Sequence, residues 1–181
     1  MTSSAKPVQY ALVAYVRGPL GLFVEELRRD LLPEHSHLAA HITILPPRFL
    51  QGTELDALVE LSECAKDAIP YQATLGEVET FAPVTPTVFL NVAGNAQVFH
   101  ELHDRFNSAA VESAEQWPYR PHLTIVKMPG FPQAEQALEA SRTRWDAYQG
   151  NRQLTVSELT FVREGNNQHW IDIASIPLRT R

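Results

Sequence analysis

Apolar positions alternate with a period of two at the start of the chain. In VQYALVAYV (8–16), Tyr10, Leu12, Ala14 and Val16 fall on one side and Ala11, Val13 and Tyr15 on the other, as in a well-buried strand. Pro19 then opens a four-residue spacing through Phe23, Leu27 and Leu31, with Glu25, Glu26, Arg28 and Arg29 assigned largely to the outer side, until Pro33 ends it. That spacing predicts a helix. His41 to Leu45 reads as a short strand stopped by Pro46 and Pro47. A helix follows over 53–68, with Thr53 as N-cap and Leu55, Leu58 and Cys64 or Ala65 facing inward. Tyr71 to Phe81 reads as a strand.

After the turn-rich APVTP (82–86) the order begins again. TVFLNVA (87–93) predicts a strand and Phe99, Leu102 and Phe106 a helix. His122 opens another strand, 132–148 reads as a helix through Ala134, Leu138, Ser141 and Trp145, and two strands, 154–162 and 170–176, close the chain around EGNN. Each half therefore reads strand, helix, His-x-Thr strand, helix, strand. Thirty-three residues separate Val8 from His41 and thirty-four separate Val88 from His122. This is an internal repeat, roughly 8–81 and 87–176, far too long in period for a solenoid. Two copies imply two lobes facing one another, and no low-complexity stretch separates them, so one domain over 1–181 is expected.

The repeated element is HITI (41–44) and HLTI (122–125). In a strand, His41 and Thr43 share one face about 6.6 Å apart, with Ile42 and Ile44 on the other; His122 and Thr124 sit likewise against Leu123 and Ile125. Chance composition gives about 0.5 His-x-Thr triplets in a chain like this, so one would mean nothing; two at equivalent places in a repeat mean more. If a pseudo-twofold axis relates the lobes, both pairs converge on one cleft. Two imidazoles there suit acid–base chemistry, one accepting a proton while the other donates, and threonine hydroxyls suit the non-bridging oxygens of a phosphate. The implied reaction is in-line displacement at phosphorus. Arg120 lies two residues before His122, on the same face, as a candidate phosphate cation. Arg48 and Phe49, in the tail of the first motif, are further candidates for substrate binding, as is Phe89; the two rings, with Phe81, are candidates to stack a base.

HITILPPRF and YRPHLTI resemble the twin His-x-Thr-x signatures of the 2H phosphoesterase superfamily, in particular its 2′-5′ RNA ligase-like and RNA 2′,3′-cyclic phosphodiesterase branch. LGEVETFAPVTPTVFLNV resembles the family's mid-chain hairpin, and the last strands, ending in IPL, resemble its closing hairpin. The resemblance implies a bilobal α+β fold, two antiparallel sheets forming a V-shaped central cleft with helices on the outer faces. It implies catalytic roles for His41 and His122, with Thr43 and Thr124 holding the phosphate, His122 as base and His41 as acid. It also implies hydrolysis of a 2′,3′-cyclic phosphate on an RNA terminus or a small nucleotide, with no metal and no cofactor. Run in reverse, the same histidines would perform 2′-5′ ligation of RNA.

Composition narrows the alternatives. A net charge of −6 in 181 residues opposes coating of long nucleic acid, which relies on a broad basic face, yet leaves room for a local phosphate site. The start MTSSAKPVQY lacks the succession of a signal peptide and no apolar run approaches a membrane span, so a cytoplasmic monomer with no membrane partner is the expectation. The lone Cys64 reads as a core residue. HSHLAAH (35–41) invites a metal reading, which explains neither Thr43 nor the second motif. A non-catalytic module that binds RNA ends or cyclic nucleotides is the remaining rival.

Overall fold

The computed structural model describes residues 7–166 and 169–179. Strand β1 (Tyr10–Tyr15), helix α1 (Gly18–Leu31), strand β2 (His41–Arg48), helix α2 (Glu54–Ala65) and strand β3 (Tyr71–Thr80) come first. Strand β4 (Thr87–Gly94), helix α3 (Ala96–Phe106), strand β5 (His122–Lys127), helix α4 (Phe131–Asp146) and strands β6 (Gln153–Val156), β7 (Glu158–Glu164) and β8 (Trp170–Pro177) complete it. The fold is α+β.

Local chemistry accounts for most element ends. Pro19 sits in the first turn of α1, where its missing N–H costs nothing. Thr53 caps α2 through a reciprocal capping box with Asp56. The inward face of α2 is rotated from the expected one: Ala57, Leu61 and Ala65 are buried and Leu58 and Cys64 pack partly buried beside them, whereas Leu55 is 69% exposed. Ala57 and Ala65 flank the fully buried Leu61 and let the helix lie close to the core around it, while Leu55 is left outside.

Two strand boundaries differ from expectation. Strand β2 runs through Pro46 and Pro47 to Arg48. Its register with β1 shifts in this stretch, from Leu12↔Leu45 to Tyr10↔Arg48, and its one register pair with β5 is Ile42↔Leu123, well before the prolines. A bulge with a free flank is where proline is tolerated in a sheet. The expected strand over 154–162 breaks at Ser157 into β6, which pairs with β3, and β7, which pairs with β1. Its alternation is continuous, so only the choice of partners exposes the break.

All the strands join one eight-stranded antiparallel sheet in the order β6-β3-β4-β5-β2-β1-β7-β8. The expectation of two separate sheets is corrected here: two four-stranded halves meet at Ile42↔Leu123. Read outward from that seam, β2-β1-β7-β8 and β5-β4-β3-β6 mirror each other, yet each half borrows from the other repeat. Strand β3 of the first repeat pairs with β4, and β7 with β8 from the chain's end completes the half built on β1.

The helices lie on one face of this continuous sheet. Leu20, Val24 and Leu27 of α1, Leu61 of α2, Phe99 and Phe106 of α3, and Ala134 and Trp145 of α4 enter one core with Leu12, Ile42, Ile44, Leu90, Leu123 and Ile125. The sheet residues among these share one face by strand alternation. On the opposite face a small cluster of Ala11, Val13 and Val162 packs with Tyr15 and Trp170. That face carries both motifs.

Candidate active site

Ile42 and Leu123 are fully buried and directly paired across β2 and β5. Extending this antiparallel register by one position each way sets His41 opposite Thr124 and Thr43 opposite His122. All four are half-buried and point to the helix-free face. In this antiparallel register a local twofold through the Ile42–Leu123 pair brings His41 onto His122 and Thr43 onto Thr124. The two histidines then stand on a diagonal of about 7–8 Å at the backbone, which leaves room for a phosphate between their rings.

Each imidazole is held in the same way. His41 Nδ1 lies 2.8 Å from the carbonyl oxygen of Ala39, and His122 Nδ1 lies 2.6 Å from that of Arg120. A carbonyl only accepts, so Nδ1 carries the hydrogen and Nε2 is left for chemistry in both rings. Tyr15 meets His41 edge-on at 6.4 Å between centroids. Phe81 and Phe89 meet His122 at 4.9 and 5.1 Å, also edge-on. Burial holds both imidazoles below the ordinary histidine value. For His41 the Arg28 guanidinium and His122 push the same way, for His122 the Arg120 guanidinium does, and the carbonyl bond opposes in each. Both rings of the free protein are therefore poised as neutral bases.

Arg28, which the helical pattern assigned to an outer face, is 3% exposed and reaches under this site. Its Nε donates to the carbonyl of Ile125 at 2.8 Å and Nη2 to that of Thr124 at 2.7 Å. Its Nη1 donates to the carbonyl of Leu38, just ahead of β2. The guanidinium thus ties the two halves together where they share a single register pair. The sequence signal was the spacing Leu20, Val24, Arg28, a continuous inward row at four-residue intervals.

The other candidates have different surroundings. Arg120 pairs with Glu79 and lies over Phe89 at 5.1 Å, so its guanidinium is engaged, while its carbonyl orients His122. Arg48 is 4% exposed and commits its donors to Pro46 O, Asn107 Oδ1, Val111 O and Glu115 Oε1, fastening the 107–115 segment. Phe89 is fully buried beneath Phe81 at 4.1 Å, so Phe81 is the ring that meets solvent, and Phe49 is half-exposed away from the cavities. The sequence reading passed over Tyr119, whose hydroxyl donates to the Thr43 carbonyl at 2.8 Å and whose ring stacks on His103 at 4.1 Å. His103 Nδ1 in turn bonds the Ile44 carbonyl at 2.8 Å. These two residues satisfy β2 backbone groups and so fix the first motif.

A cavity of about 490 Å³ opens beside His122 and Thr43 and is walled by Phe81, Trp117, Tyr119 and Pro47. That volume is ordinary for a small-molecule site. A smaller cavity lies against His41 and Thr43. Among the described residues no group of three or more His, Cys, Asp or Glu side chains is gathered to hold a metal ion, and His35, His37 and His41 do not form one. Nor, among them, is any helix long and apolar enough to cross a membrane.

Similar proteins share the fold and the family. A Halalkalibacterium halodurans protein carrying a provisional phosphoesterase name is 26% identical over 119 residues, 65% of this chain and 69% of its own. An Oceanobacillus iheyensis protein of the same provisional name is 28% identical over 102 residues, 56% of this chain and 59% of its own. Escherichia coli LigT, solved with 3′-AMP, superposes with a TM-score of 0.64 at 15% identity, covering 97% of this chain and all of that one. A protein from Thermus thermophilus superposes at 0.63 with 16% identity over 94% of this chain and 98% of its own. The sequence profile of the 2′-5′ RNA ligase superfamily matches residues 16–168. With both His-x-Thr pairs flanking one seam and the profile spanning most of the chain, the protein belongs to the 2′-5′ RNA ligase superfamily of 2H phosphoesterases.

Proposed function

We propose that this protein hydrolyses 2′,3′-cyclic phosphates by two-histidine acid–base catalysis. The observation that carries the reading is the equivalence of His41 and His122: each has Nδ1 on the carbonyl two residues back, each leaves Nε2 free, and each lies across the seam from the other's threonine. A phosphate placed over Ile42 and Leu123 receives hydrogen bonds from the Thr43 and Thr124 hydroxyls on its non-bridging oxygens.

His122 Nε2 takes a proton from water as its oxygen bonds to phosphorus. The opposite bond, from phosphorus to one ribose oxygen, breaks, and His41 Nε2 delivers its proton to that oxygen. The ring opens to a phosphomonoester, and exchange with solvent resets both imidazoles. The roles of base and acid follow the family pattern. His41 is held neutral in the free protein, so the acid is charged when the anionic substrate arrives, since a phosphate nearby favours the imidazolium. The two halves of the sheet serve as the walls of the cleft. LigT solved with 3′-AMP supports a nucleotide-sized occupant by analogy of fold.

The test is turnover of adenosine 2′,3′-cyclic phosphate by the purified full chain, with and without EDTA, product regiochemistry being read by phosphorus NMR. Ring opening that survives EDTA and disappears in His41→Gln and His122→Gln is expected. Tight binding of the cyclic phosphate with no ring opening over hours would leave a binding module instead.

A further inference from the structure

We propose that the smaller cavity beside His41 is a second-phosphate subsite, in which His37 and His169 hold a phosphate one sugar unit away from the phosphorus under attack. This rests on the reading of the motif residues as a phosphate site and deepens it, because it makes the preferred ligand a nucleotide with two phosphates.

The cavity has a volume of about 190 Å³, with His41 and Thr43 at one end and His37 and His169 also in its wall. The two outer rings face each other at 4.3 Å between centroids with 35° between their planes. His37 spends Nδ1 on the Glu34 carbonyl at 3.1 Å, which leaves Nε2 for a ligand. Two imidazoles this close repel when charged and become mutually compatible when an anion lies against both. Between the two ends the wall is apolar and aromatic, made by Val13, Val162, Tyr15 and Trp170. Such a wall suits the C–H faces of a pentose better than a third charge.

Charge balance distinguishes the two cavities. In the larger one, Arg48 is paired with Glu115 and Arg120 with Glu79, so its cations already have partners. The smaller one presents three imidazoles, and no carboxylate side chain is among its described lining residues. Asp172 accepts the hydroxyl of Tyr15, one of its lining residues, at 2.6 Å. A second phosphate therefore gains more on the His41 side, while the larger aromatic cavity suits a base.

Calorimetric titration of the full chain with adenosine 3′-phosphate and with adenosine 3′,5′-bisphosphate tests this without relying on turnover. The wild type is expected to bind the bisphosphate about tenfold more tightly, the worth of one or two hydrogen bonds to a charged group. That ratio should shrink in His37→Gln and in His169→Gln and approach one in the double variant. A third ligand, the dinucleotide ApAp with its internal phosphate in the same place, separates the sources. A gain shared by ApAp assigns the subsite to a strand's backbone phosphate, and a gain confined to the bisphosphate assigns it to a terminal phosphate. Equal affinity for mono- and bisphosphate in the wild type, or a preference retained in the double variant, would overturn the subsite. Should the chain bind these ligands in the expected order yet leave cyclic phosphates intact, the hydrolytic reading fails and the subsite stands.

Discussion

Replacing Arg28 by methionine separates what its charge does from what its hydrogen bonds do. The side chain is buried and bonds three backbone carbonyls, those of Leu38, Thr124 and Ile125, while the nearby Glu25 carboxylate favours its charge. Methionine fills much of the same volume and donates nothing. Three carbonyls then lose a partner at roughly 1–3 kcal/mol each, while the desolvation cost of a buried guanidinium, several kcal/mol and only partly offset by Glu25, disappears. The two terms oppose, and the net expectation is a destabilisation of about 3 kcal/mol, a large share of a typical domain's 5–15 kcal/mol. Urea denaturation should show this as a lower midpoint with an unchanged slope.

The charge has a separate signature. Burial is the main cause holding His41 below its ordinary value and Arg28 adds to it, so Arg28→Met should raise the His41 pKa while leaving it depressed. NMR titration of the imidazole resonances reads that directly. His122, for which burial and Arg120 are the causes of the shift, should move much less and serves as the internal control. A His41 value unmoved in a folded Arg28→Met protein would refute the electrostatic coupling. A variant as stable as the wild type would refute the account of Arg28 as the tie across the seam.

Three further outcomes are expected. His41→Gln and His122→Gln should each lower kcat/KM on a cyclic phosphate by roughly 10² to 10⁴, and the double variant should lose little more than the worse single one, because the two groups act as a unit; full additivity would argue against concerted transfer. Arg48→Met should cost about 2–4 kcal/mol in denaturation and raise KM more than it lowers kcat, since Arg48 fastens the 107–115 segment on the wall of the larger cavity. Stability should fall on acidification: the folded values of His41 and His122 lie below the ordinary 6.5, so below that pH the unfolded chain binds more protons, and the loss is complete once pH passes under the depressed values. Denaturation midpoints at successive pH values between 8 and 5 check this, and replacing both histidines by glutamine should flatten that part of the slope.

The sequence by itself determined most of the elements and the candidate site. Period-two and period-3.6 patterns located the helices and most strands, because amphipathicity is local and each buried face leaves its mark every second or every third to fourth residue. His41, Thr43, His122 and Thr124 were legible for a related reason: alternation on a strand assigns residues to faces, and the internal repeat shows the same assignment twice. Non-local pairing was not legible. The break at Ser157 and the passage of β2 through two prolines depend on which strand lies alongside, and alternation is the same whichever neighbour is chosen. The inward face of α2 was read only in part, because Leu61 takes the centre of the buried row and Leu55 is turned outward. Arg28 was misread because its acceptors are carbonyls from β5 and from the residue Leu38, brought together only when the two halves of the sheet meet at Ile42 and Leu123. Only the tertiary structure could decide that a charge belongs in the core, since burying one depends on hydrogen-bond partners far along the chain, and the same contact between halves places the two histidines across one seam.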